Sequence, residues 1–150
     1  MQKYNVHFER TSNFSRDKYG HLPSDYIYWV PLMNYFLNYS DAIEIHCWNE
    51  DDKVIKEIRK EIGNDTVCKI EGNLTIFSGV QTKQITRYLT HNHLNEHNQL
   101  KWFSVFLSKN GYSFFNSEHY GTEFVGFGLD KKQVKSIYKI MPKDTNFSSW

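Results

Sequence analysis

Tyr4, Val6 and Phe8 alternate with polar neighbours, the period of a strand with one buried face. From Arg10 to Pro23 (RTSNFSRDKYGHLP) Ser, Asn, Asp, Gly and Pro interrupt every periodicity, which predicts a loop. Loops of this length inside a compact domain are uncommon and tend to be functional. Its Arg10, Arg16, Lys18 and Tyr19 mark it as a basic, aromatic contact surface. Ser24 to Tyr39 opens with a Ser-Asp cap signal and is apolar almost all round, so the pattern predicts a buried helix, bent or restarted at Pro31. Ala42 to Trp48 alternates again, with Ile43, Ile45 and Cys47 on one face and Glu44, His46 and Trp48 on the other.

The next stretch, Asn49 to Gly63, carries the strongest local signal. Asn49 suits a cap, Glu50, Asp51 and Asp52 sit where the helix dipole favours negative charge, and Val54, Ile55, Ile58 and Ile62 form one apolar stripe that Gly63 can end. Thr66 to Ile70 and Leu74 to Phe77 read as strands joined by a tight turn at Glu71-Gly72-Asn73. Helical spacing returns from Lys83 to Leu107, as two helices or one broken one, with Gly111 as terminator. Ser113–Phe115 and Glu123–Gly128 read as short strands. Asp130 caps a last helix whose Val134, Ile137, Tyr138 and Met141 share a face before Pro142, and the tail from Lys143 to Trp150 reads as loose. This order predicts a single α/β or α+β domain over residues 1–150, with helices packed on a mixed, mostly antiparallel sheet.

Composition adds bounds rather than identity. A chain of 150 residues with a 17% aromatic share can bury a sizeable core. Eighteen basic against seventeen acidic side chains leave a formal charge of +1, so no global field draws it to phosphate backbones or anionic membranes, and nucleic acid is disfavoured as a partner. MQKYNVHFER has no signal-peptide pattern and no segment is apolar enough to span a bilayer, so a cytoplasmic location is expected, with Cys47 and Cys68 as reduced core thiols.

Two histidine-bearing stretches raise chemistry. If the helical spacing of residues 83–107 holds, His93 and His97 lie on adjacent turns of one stripe with His91 and Glu96 close by, a two-ligand metal arrangement that needs a third ligand such as His46, His119 or Glu118. The blander reading, preferred here, has the histidines along the margin of an apolar stripe. Ser117-Glu118-His119-Tyr120 places a histidine beside a carboxylate, the makings of a general base or simply of a surface turn. No G-x-S-x-G, P-loop or G-x-G-x-x-G is present, and Gly126-Phe127-Gly128 precedes a helix whose Asp130 would repel an anion.

No catalytic or cofactor motif stands out, so the sequence is read as a protein that presents a surface to another protein. The expectation is a protein-binding inhibitor, an immunity or antitoxin protein that neutralises a bacterial toxin, with Glu50, Asp51 and Asp52 as the acidic patch and Arg10, Arg16, Lys18 and Tyr19 as the basic one. The alternatives are a metal-dependent hydrolase or nuclease built on His91, His93 and His97, and a nucleotide or nucleic-acid module built on Arg10 to Tyr28.

Overall fold

A computed structural model describes residues 2–10, 14–17, 20–23, 26–143 and 145–150, with only the backbone described for 14–17 and 20–23. In chain order the elements are β1 (Tyr4–Arg10), β2 (Phe14–Asp17), β3 (Gly20–Pro23), α1 (Trp29–Leu37), β4 (Ala42–Trp48), α2 (Asp52–Ile62), β5 (Val67–Glu71), β6 (Leu74–Val80), α3 (Lys83–His91), β7 (Ser104–Lys109), β8 (Tyr112–Glu118), β9 (Glu123–Leu129), α4 (Lys131–Ile140) and β10 (Thr145–Ser149). Eight strands form one sheet in the order β10-β1-β9-β8-β7-β4-β6-β5, while β2 and β3 pair as a separate hairpin. Every pairing among the described strands is antiparallel, and the fold is α+β.

Register decides which side chains meet the helices. Ile43 lies opposite Leu107 and Ile45 opposite Val105 and Phe77, and these residues share one buried cluster with Trp29, Phe36, Ile58 and Ile85 from the helices. Helix α1 contacts both α3 and α4 in this layer. Its Trp29 packs near Trp102 and Phe124 and donates its indole N–H to the Leu89 carbonyl at 2.9 Å, and its Phe36 stacks on Phe115 at 4.2 Å. Fully burying one such side chain contributes about 1.5–3 kcal/mol. Pro31 falls in the first turn of α1, where a missing N–H costs nothing, and the helix does not restart there.

Several elements depart from the sequence reading. Part of the expected 10–23 loop is the β2–β3 hairpin. Helix α3 stops at His91, because Asn95 Oδ1 accepts from the backbone N–H groups of His97 and Gln99 and closes a local turn that competes with helix. The residues after that turn then form strand β7, with Val105 and Leu107 facing the helices and Phe106 the other side. Gly111 ends no helix: with Asn110 it makes the β7–β8 turn, both residues at positive φ. The tail is not loose, since β10 pairs with β1. Cys68 is exposed on β5 rather than in the core, and Tyr138 is exposed beside Phe147. The Asp130 cap does form, reinforced by Gln133 as a capping box.

Candidate functional site: an acidic cleft beside helix α2

The end of β4 runs through Glu50 and Asp51 into α2, and this corner faces the segment 94–101 across a cleft of about 600 Å³. Tyr120, from the turn between β8 and β9, closes one side. Five carboxylates line the cleft, Glu50, Asp51, Asp52, Glu57 and Glu96, against the two lysines Lys53 and Lys101, so five negative less two positive leaves an excess of three negative charges on a chain of net +1. Lys53 and Glu96 approach to 3.6 Å but are both largely exposed, a pairing of little worth. Lys101 is committed elsewhere: buried, it reaches Glu57 Oε1 at 2.5 Å, and the Tyr88 hydroxyl donates to the same oxygen at 2.8 Å.

Asp51 is only partly satisfied. It occupies the N-cap position of α2, yet its side chain makes no capping hydrogen bond and Oδ2 is buried with no hydrogen-bond partner. Burial, then the charge of Glu50, raises its carboxyl above the ordinary aspartate value, and hydrogen bonds from the Trp48 backbone and the Tyr120 hydroxyl pull the other way. Asn49 does not cap either: its side-chain amide donates to the Gly72 carbonyl at 3.0 Å and its Oδ1 accepts from Thr75 Oγ1 at 2.8 Å. The corner is thereby tied to the β5–β6 turn while its charges stay turned to the cleft.

Tyr120 is held by a strained turn. His119, Tyr120 and Gly121 all lie at positive φ, 53°, 57° and 75°, a conformation that costs a non-glycine residue about 1–3 kcal/mol and persists only where its surroundings enforce it. The surroundings here are Tyr26, whose hydroxyl donates to the Tyr120 carbonyl at 3.1 Å, and Tyr28, which donates to that of Gly121 at 2.7 Å. A Cβ at Gly121 would also come within 2.8 Å of Leu100 Cδ2, so glycine is needed for space as well as for φ. The sequence reading of Ser117 to Tyr120 as a surface turn between strands is met here, while the left-handed conformation of His119 and Tyr120 had no local signal.

The predicted histidine group does not assemble. His91 is exposed at the end of α3, and His97 is exposed beside Glu96 at 3.7 Å. His93, half-buried beside Trp29, has an Nδ1 without a hydrogen-bond partner, and burial followed by the Lys101 charge lowers its pKa below the ordinary histidine value. Among the described residues no three His, Cys, Asp or Glu side chains form a group able to hold a metal. His119 pairs with Glu123 rather than Glu118, and Glu123 also binds His7 at 2.8 Å, chiefly through which its carboxyl is held below the usual range. Cys47 is buried and pushed up to about 12, a neutral thiol.

No protein-family model matches the chain, and no curated protein and no solved structure matches it.

Of the basic patch expected from the sequence, Arg10 does not lie at the surface. Arg10 is only 2% exposed, with its guanidinium over the Tyr28 ring at 4.7 Å, so it supports the core side of β1 instead of a surface. Arg16 is placed by its backbone pairing with His21, while Lys18 and Tyr19 lie outside the described residues. The acidic patch is different: Glu50, Asp51 and Asp52 stay together and gain Glu57 and Glu96 from elsewhere.

Changing His91, His93 and His97 together to alanine is expected to leave a cooperative fold weakened by about 1–3 kcal/mol, nearly all from His93. His93 also sets a pH dependence. Its folded pKa is depressed, so between that value and the ordinary 6.5 the unfolded chain binds a proton that the folded chain does not. Stability therefore falls as pH drops through 6.5, and is fully reduced only below the folded pKa. Thermal melts of the wild type from about pH 8 to about pH 5 should show this decline, and His93→Gln should flatten it; equal slopes would remove His93 as the cause.

Proposed function

We propose that the protein is a protein-binding inhibitor that holds a lysine- or arginine-bearing segment of its partner in the acidic cleft. The observation carrying this reading is the combination of three excess negative charges with a half-buried Asp51, its carboxyl raised by burial and by Glu50, in a corner already braced by Asn49, Tyr26 and Tyr28. A half-buried carboxylate beside the like charge of Glu50 disfavours the free state, and an incoming ammonium or guanidinium offsets that repulsion on binding. Leu94, 37% exposed, and Tyr120 add apolar and aromatic surface against which the stem of such a side chain can pack. A local negative field also speeds encounter with a basic partner, which a chain of net +1 gains only from such a patch.

The partner proposed is a bacterial toxin, which makes this an immunity or antitoxin protein. That part rests on what small single-domain proteins without a catalytic motif commonly do; the cleft supports only a basic protein segment. Co-expression with the product of a toxic neighbouring gene is expected to restore growth, and the two chains are expected to co-purify at equal stoichiometry. Turnover of a nucleic acid or ester by the purified protein, abolished by the histidine changes, would replace this reading with the hydrolase one.

A further inference from the structure

We propose that strand β5 is a docking edge for a second copy of this chain, which joins two sheets antiparallel across their β5 strands about a two-fold axis. Among the described residues β5 ends the strand order and is paired on one side only, by β6. An edge strand leaves the N–H and C=O of alternate residues unpaired on its outer side, and proteins commonly blunt such edges with proline, a bulge or charge. β5 reads VCKIE, holds an unbroken register with β6 and has all five residues exposed, Val67 at 72% and Ile70 at 67%. The opposite edge, β10, reads TNFSS and carries one apolar residue.

The only charges on β5 are Lys69 and Glu71, and they are complementary to a second copy of themselves. A slip of one residue would exchange the two faces of a strand, so the shared sheet admits only registers that differ by two. Lys69 opposite Lys69 sets like charges against each other across the strands, which is unfavourable. The register two residues along sets Ile70 opposite Ile70 and Lys69 opposite the second copy's Glu71, twice by symmetry. Within one chain Lys69 Nζ already lies 3.0 Å from Glu71 Oε1 in an exposed pair. The dimer replaces that pair with two cross-strand pairs flanking a contact of two isoleucines that are exposed in the single chain.

Sedimentation velocity on the full chain under reducing conditions, from about 1 µM to about 500 µM, tests this. The wild type is expected to pass from monomer to dimer within the range, and Ile70→Lys to remain monomeric. Lys69→Glu should weaken the dimer about tenfold or more, and Lys69→Glu combined with Glu71→Lys should restore it to within about threefold. All three variants change exposed side chains, and unchanged near-ultraviolet circular dichroism shows that each is folded. A wild type monomeric throughout, an Ile70→Lys dimer of wild-type strength, or a double variant no tighter than Lys69→Glu overturns the proposal.

Discussion

Replacing Ile58 with aspartate is expected to leave little folded protein at ordinary temperatures. Ile58 is fully buried in the cluster that joins α2 to the sheet, flanked on the same stripe by Ile55 and Ile62. A carboxylate there either stays charged without a partner or is protonated at a cost, and either route loses about 4 kcal/mol or more, added to the lost apolar burial. A domain of this size is stable by only about 5–15 kcal/mol. Urea titration should show the midpoint collapse, whereas Lys56→Asp on the exposed side of the same helix should move it by about 0.5 kcal/mol or less. A midpoint for Ile58→Asp close to that of the wild type would mean that α2 is held by some other face.

The second large effect concerns the cleft. Glu50 and Asp52 are exposed, so changing both to lysine should spare the fold, apart from about 0.5 kcal/mol for a cation in the first turn of α2. The cleft excess, three negative charges, moves by four to one positive. Affinity for a basic partner should then fall about 100-fold or more at low salt, mostly through slower association, and the difference should narrow as salt screens the field. Growth rescue should weaken more than in the His91, His93, His97 triple alanine variant. Undiminished rescue by the reversed variant would place the partner elsewhere on the molecule.

Much of this fold could be read residue by residue. Helix α2 was legible because Val54, Ile55, Ile58 and Ile62 recur at helical spacing between an acidic start and Gly63, and the β5–β6 hairpin because Gly72 sits between two strand-like runs, where it adopts a φ of 57°. The Asn110-Gly111 turn was equally legible and was misread as a helix end, since Val105, Phe106 and Leu107 form an unbroken apolar run in which strand alternation is hidden. Phe106 is apolar on the far face because the His46 ring packs against it at 4.7 Å, a contact that no local window contains.

By itself, then, the sequence determined the segments with the clearest periodicity and end signals: α2 with its apolar stripe, the β5–β6 pair and α4 with its Asp130 cap, together with an α/β or α+β domain and an acidic run at Glu50–Asp52. Only the tertiary structure decided that β10 would close on β1, that Arg10 would be buried, and that His93 would turn inward while His91 and His97 stay exposed. It alone brought segment 94–101 and Tyr120 to the acidic run, across more than forty residues of chain in each case. The physical reason is that local spacing reports how one segment divides its own polar and apolar faces, whereas which segments converge is set by strand pairing and core packing between residues distant in sequence.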